Sequence, residues 1–357
     1  MDAPFEPAWW CRGAHLQTVW PTCFRRTPRP PLARERLELP DGDFLDIDWA
    51  FRMPSAGRPT VLVLHGLAGS SRSPYARGLL AALAREGWNA GLMHFRGCSG
   101  EPNRLARSYH SGETGDLEQV VAVLHERAGD TPLALVGISL GGNVLLKWLG
   151  ERGASAPVRA AVAVSVPFVL ARAADRLEVG PSRLYQWYLL RCLRRSLEIK
   201  RRRVNVPLAV ENLARLRRFR DFDEHVTAPL HGFRGAEHYY AAASSRPFLS
   251  RIAVPTLIIQ ARDDPFLSPD AIPDARELPD GVKLELYANG GHAGFIAGGW
   301  PWRARYWLDE RVPAYLRARV APSGARPASP SPADAPAARS EARSMDRPAT
   351  GAWDSAP

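Results

Sequence analysis

A serine, an aspartate and a histidine in this chain stand in surroundings that suit nucleophilic acyl transfer. Ser139 lies in Gly137-Ile138-Ser139-Leu140-Gly141, Asp264 in Ala261-Arg262-Asp263-Asp264-Pro265-Phe266, and His292 in Asn289-Gly290-Gly291-His292-Ala293. A serine hydroxyl is a weak nucleophile until an imidazole takes its proton, and the imidazole needs a carboxylate to hold its tautomer. The expected roles follow. Ser139 attacks an acyl carbonyl, His292 carries the proton to the leaving group, and Asp264 steadies the imidazolium. Backbone N–H groups of Leu140, just after the serine, and of Leu67, in His65-Gly66-Leu67, are the expected donors to the tetrahedral oxyanion.

Each of these groups has to stand at the carboxyl end of a strand, and the flanking sequence supplies the strands. The apolar run Leu133 to Val136 leads into the Ser139 turn, and Val144, Leu145, Trp148 and Leu149 then recur at helical spacing. Strand, sharp turn and helix make a nucleophile elbow, in which side chains at Gly137 and Gly141 would collide with neighbouring backbone. Asp264 follows the run Thr256-Leu257-Ile258-Ile259-Gln260, and His292 follows Lys283-Leu284-Glu285-Leu286-Tyr287. The usual acid turn counts glycine or alanine, any, any, aspartate; from Ala261 that lands on Asp264 and leaves Asp263 as a loop or capping residue. His65 is expected to brace its loop. Cys98 has no base at a comparable position.

The remaining chain reads as alternating strands and helices, hence a mostly parallel sheet with helices on its faces. Residues 1–34, rich in Pro, Trp and Arg, are expected to be an irregular arm packed on the core. Residues 35–166 form the first part of the core: a hairpin about Asp41-Gly42, the strand Thr60 to Leu64, a helix from Pro74 to Arg85, the strand of NAGLMHF, a helix over 116–127 with Asp116 and Gln119 as capping box, and the elbow. Residues 167–248 break the alternation as a basic, aromatic, helical lid insertion. Residues 249–320 complete the core and close with a helix over about 301–319. The tail, 321–357, is Ala, Pro, Ser and Arg and is expected to be disordered.

Composition narrows the function. At 45% apolar content the chain can bury a real core. Four cysteines form no C-x-x-C pair and nine histidines show no metal-ligand spacing, so neither a metal site nor a disulfide framework is expected, and the serine chemistry calls for no organic cofactor. The N-terminus lacks the charged head and apolar run of a signal peptide, and a cytoplasmic protein is expected. A net charge of +10 is spread along the chain without any nucleic-acid-binding signature. One stretch is more concentrated: residues 183–203 interleave Leu184, Trp187, Tyr188, Leu190, Leu193, Leu197 and Ile199 with Arg191, Arg194, Arg195, Lys200, Arg201, Arg202 and Arg203. This predicts an amphipathic helix whose apolar face packs on the sheet domain and whose arginines face water, with peripheral contact to anionic lipid as the sharper expectation.

The phrases His65-Gly66-Leu67, FRGCSGEPNRLARSYHSGETGDL, GISLGGNVLLKWLG, RDFDEHVTAPLHGF, ARDDPF and NGGHAGF, with the His15-Leu16-Gln17-Thr18 arm, together resemble the YheT-like branch of the α/β-hydrolases, which also includes phospholipases and fungal medium-chain ester synthases. The resemblance runs to about Leu316 and implies a carboxylic-ester hydrolase or acyltransferase with Ser139, an aspartate of ARDDPF and His292 as triad. One phrase departs from the wider superfamily: His94-Phe95-Arg96-Gly97-Cys98-Ser99-Gly100 stands where many α/β-hydrolases carry an Asp before Arg-Gly. The expected substrate is an ester with an apolar, short to medium acyl chain. Transfer of the acyl group to an alcohol, and lipase or phospholipase action, use the same acyl-enzyme. A non-catalytic binding protein is disfavoured, because a retired site has no reason to keep all three groups in register.

Overall fold

The computed structural model describes residues 4–26 and 29–320, so the expectation for residues 321–357 lies outside the described residues. The first helix, α1 (Ala14–Phe24), stands where an irregular arm is expected from the sequence. No apolar stripe announces it: Leu16, Val19 and Phe24 are exposed, whereas Gln17 and Pro21 are buried. Tertiary hydrogen bonds hold it instead. The Gln17 carboxamide donates to Cys11 O and Ile296 O and accepts from Ile296 N.

The period-two runs about Asp41-Gly42 fold back on each other as β1 (Leu32–Glu38) and β2 (Phe44–Ala50), paired antiparallel. Gly42 turns between them at φ +83°, a conformation that strains any residue with a Cβ. The β-branched and leucine-rich runs become β3 (Thr60–Leu64), β4 (Asn89–Met93), β5 (Leu133–Ile138), β6 (Ala160–Val164) and β7 (Thr256–Ala261), each buried at every position; β8 (Val282–Tyr287) is the half-exposed edge. The sheet runs β1-β2-β4-β3-β5-β6-β7-β8, with β2 antiparallel to both its neighbours and the other pairs parallel.

Because successive strand residues point to opposite faces, one strand feeds two cores. Leu62 and Leu64 pack with α3 (Thr114–Ala128) and α4 (Leu140–Arg152), while Val61 and Val63 pack with α2 (Pro74–Arg85) and the helix Leu308–Val320. Burying each such side chain contributes about 1.5–3 kcal/mol. Between β6 and β7 the chain runs through α5 (Leu170–Leu177), α6 (Ser182–Arg201), the helix Ala236–Ala243 and shorter turns, which pack around Leu190, Phe219, Phe222 and Tyr239.

Three expectations need correcting. Helix α3 starts at Thr114, and no Asp116 capping box forms, because Arg96 takes both Asp116 oxygens at 2.8 and 2.6 Å. The last helix begins at Leu308: residues 301–306 are drawn into a 3₁₀ turn and a short ribbon in which Arg305–Tyr306 pairs with Ile296–Ala297. On α6, Leu190 and Leu197 are buried, but Leu184, Trp187, Tyr188 and Ile199 are exposed, and Lys200 is buried.

Helix α4 approaches the segment before β7 closely, and a Cβ at Gly150 would lie 2.2 Å from the Phe248 carbonyl oxygen. Gly150→Ala must therefore shift backbone. We expect a loss of about 1–3 kcal/mol in urea unfolding, with an unchanged circular dichroism spectrum.

Candidate active site

Ser139 takes φ 55° and ψ −120° at the junction of β5 and α4. This is a strained conformation for a residue with a side chain, and it lifts the hydroxyl clear of both elements. The tightness explains the glycines: a Cβ at Gly137 would sit 2.5 Å from Gly141 O, and one at Gly141 would sit 2.5 Å from Leu64 O.

His292 Nε2 lies 2.9 Å from Ser139 Oγ, and its Nδ1 lies 2.9 and 3.1 Å from the two oxygens of Asp264. An ionised carboxylate can only accept, so the imidazole proton belongs on Nδ1 and Nε2 is left as the acceptor for the serine hydroxyl. Asp264 is 3% exposed and accepts a further hydrogen bond from Phe266 N. Asp263 points elsewhere: its carboxylate accepts from Gly291 N at 2.9 Å and anchors the histidine loop.

That loop is clamped on several sides. His292 N donates to Thr18 Oγ1 on α1, and Ala293 N donates to Ser165 Oγ after β6. A Cβ at Gly294 would meet Gln17 O at 2.1 Å, so α1 rests directly on this backbone. The Phe266 ring stacks on the imidazole at 3.9 Å between centroids and 4° between planes. Thr18, Ser165 and Phe266 are positioning residues that sequence reasoning did not single out, although Thr18 and Phe266 belong to the phrases His15-Leu16-Gln17-Thr18 and ARDDPF.

On the other side of Ser139, the loop after β3 is held from beneath. Gly66 N donates to Tyr75 Oη and Ala68 N to Tyr109 Oη. The His65 ring is fully buried, which pushes it down to about 3 and keeps it neutral; Nε2 accepts from Phe95 N and Nδ1 meets Gly66 O at 2.7 Å. The N–H groups of Leu67 and Leu140 have no hydrogen-bond partner among the described residues, Leu140 because it opens α4. Cys98 is half-buried nearby, and loss of solvent around its sulfur pushes the thiol up to about 12, far from a reactive thiolate.

A cavity of about 740 Å³ opens at Ser139 and His292 and is walled by Val19 of α1, by Leu170 and Leu177, and by Leu184, Tyr185 and Tyr188 of α6. Away from the serine, His110, Glu113 and His231 bring ligand atoms within 4.8 Å of one another, a grouping their separation in the chain conceals. Among the described residues no helix is long and apolar enough to cross a membrane.

A mostly parallel sheet covered on both faces, with a serine on a strained strand–helix turn and an aspartate and a histidine after the sheet's last two strands, defines an α/β-hydrolase. The chain belongs to the α/β-hydrolase family and to its YheT-like branch. The sequence model of the alpha/beta hydrolase fold matches residues 59–298. The chain is 45% identical over 318 residues to YheT of Escherichia coli (strain K12), an esterase by name, covering 88% of this chain and 93% of that one. It is 30% identical over 325 residues to phospholipase ABHD3 of Mus musculus, covering 88% and 79%. Among solved structures, the Pyrococcus furiosus esterase Pf2001 shares the fold at a TM-score of 0.52 and 15% identity, covering 82% of this chain and 94% of that one.

Asp223 borders the cavity, and burial pushes its carboxyl up to about 6 against the hydrogen bonds it accepts from Thr227 and Tyr240. With the folded value above the unfolded one, the folded chain holds a proton near pH 5 that the unfolded chain has lost. Its stabilising effect is therefore present at acidic pH and disappears as pH rises through 6. Urea unfolding of Asp223→Asn beside the wild type should show the difference moving in favour of the variant by roughly 1–2 kcal/mol from pH 5 to pH 8.

Proposed function

We propose that this chain is a serine ester hydrolase that cleaves carboxylic esters of apolar acyl chains through an acyl-enzyme on Ser139. The observation that carries the reading is the continuous contact from Asp264 through His292 to Ser139 at the floor of an apolar cavity. Ser139 Oγ attacks the ester carbonyl while His292 Nε2 takes its proton. The carbonyl electrons move onto oxygen and are held by the free N–H groups of Leu67 and Leu140. Collapse expels the alcohol, which takes the proton from His292, and water then repeats the sequence to release the acid. Membership of the YheT-like branch, with an esterase and a phospholipase among its relatives by name, agrees with this chemistry.

The cavity mouth supports a lipid surface as the source of substrate. Val19, Leu184, Trp187 and Tyr188 line the cavity and are 39%, 64%, 52% and 56% exposed. Arg183, Arg191, Arg195, Arg202 and Arg203 are exposed on or just beyond the same helix, whereas Arg194 and Arg201 are partly spent on the carbonyls of Leu190, Ala214 and Val210. Apolar side chains amid cations are suited to an anionic interface. Binding to vesicles containing phosphatidylserine should exceed binding to phosphatidylcholine vesicles, fall as salt rises, and drop on Arg195→Glu/Arg202→Glu/Arg203→Glu. Equal binding to both vesicle types at low salt would remove the interfacial role.

Ser139→Ala should abolish both turnover and labelling by a fluorophosphonate probe, with an unchanged melting temperature. In the same assay Asp264→Asn should lose about four powers of ten in kcat, because tautomer control fails. Asp263→Asn should lose far less, since its carboxylate accepts from Gly291 N and the Asn289 side chain and does not touch the imidazole. Persistent labelling of Ser139→Ala, or the larger loss falling on Asp263→Asn, would overturn these assignments.

A further inference from the structure

A second cavity of about 300 Å³ lies across the oxyanion loop from the apolar one, and the two share Leu67 and Leu140. Its wall is different in kind. Lys200, His110, His231, Ser108 and Ser196 line it; among the described lining residues the carboxylate is Asp223, occupied by the hydroxyls of Thr227 and Tyr240, while Glu113, beside the two histidines, is paired with Arg107.

Lys200 is the unusual group. It is 4% exposed, and its ammonium donates to Asn103 Oδ1 and to Arg107 O, both uncharged acceptors. Among the described residues no carboxylate lies within ion-pair distance of it. Asp43, the acid whose charge it feels, is already spent on Arg96. Burial draws Lys200 down to about 8, so it is still cationic at neutral pH. A buried ammonium with a donor to spare and no counter-ion is costly, and a ligand that supplies the missing negative charge relieves that cost. His231, whose ring lies edge-on to His110 at 4.7 Å, adds ring nitrogens with no hydrogen-bond partner among the described residues. His110 Nδ1 accepts from Gly112 N, which places its proton on Nε2, where it faces Glu113.

His110, Glu113 and His231 could instead suggest a metal ion. The charges oppose it: Arg107 is hydrogen-bonded to Glu113, and His110 Nε2, protonated, faces the same carboxylate at 3.5 Å. A divalent cation would have to displace the guanidinium, with Lys200 nearby.

We propose that this second cavity is a binding site for a phosphate-sized oxyanion carried on the alcohol portion of the ester, with Lys200 as its charge partner and His231 as a hydrogen-bond donor. The proposal rests on the ester-hydrolase reading for its substrate but not for its binding. The acyl chain occupies the apolar cavity, the carbonyl lies at Leu67 and Leu140, and the anionic head passes beyond them. Substrates of this class are acyl esters of phosphate-bearing alcohols.

The test uses the full chain and two octanoate esters, one of ethanol and one of glycerol 3-phosphate. Lys200→Gln should raise KM for the phosphate ester about tenfold or more and change the ethyl ester less than about twofold. Should Lys200→Gln not fold, Ser196→Glu, which brings a carboxylate to the same cavity, is expected to give the same selective loss. Calorimetry of inorganic phosphate into Ser139→Ala separates the two readings: binding there that Lys200→Gln abolishes supports the site even if neither ester is turned over. Discrimination between the esters without binding of free phosphate supports a site that requires the attached head. Equal handling of both esters by wild type and variants, with no phosphate binding, overturns the proposal. So does uptake of Zn²⁺ that His231→Ala abolishes.

Discussion

The geometry of this molecule turns on the backbone of one residue. Ser139 is held at φ 55° between the central strand β5 and α4, and that conformation is tolerated only because its surroundings leave no alternative. Gly137 and Gly141 let the strand, the helix and the end of β3 come within atomic contact. Ser139 N donates to Val164 O on the neighbouring strand, and Asn143 N closes the first helical turn on Ser139 O. The strain is thus balanced by strands buried at every position, so the nucleophile stands on the packed centre of the sheet.

Everything else in the site is placed relative to that point by the parallel sheet. Strands β7 and β8 end on the same edge as β5, which brings Asp264 and the His292 loop to the serine although they come from distant parts of the chain. Loops are inherently mobile, and this one is restrained by hydrogen bonds to Asp263, Thr18 and Ser165 and by the Phe266 ring against the imidazole. The N-terminal helix therefore acts at the C-terminal loop: the two meet so closely that Gly294 has no room for a Cβ.

The helical segment between β6 and β7 divides the space above the serine by chemistry. The first half of α6 contributes Leu184, Tyr185 and Tyr188 to an apolar cavity, and its last turn contributes Lys200 to a polar one. A single amphipathic sequence thus serves two environments because the helix passes across both. The shared wall is the oxyanion loop, so an ester carbonyl bound there has unlike surroundings on its two sides.

Much of this was legible in the residues. Unbroken β-branched and leucine runs mark strands buried on both faces, glycines two before and two after a serine mark a turn too tight for side chains, and an aspartate and a histidine just past later strands complete the order. These are local signals, set by sterics and by burial of whole elements. What only the tertiary structure decided are the relations between elements. Helix α1 was invisible because its inward residues are Gln17 and Pro21 and its hold comes from hydrogen bonds to residues near Ile296. The capping role read for Asp116 gave way to Arg96, a stronger, charged partner brought in by β4. The face that α6 turns inward could not be read from its apolar spacing, because Leu184, Trp187 and Tyr188 border a cavity rather than a core. Periodicity records which residues share a side of a helix, but whether that side meets a sheet, a cavity or water depends on what the rest of the chain places opposite it.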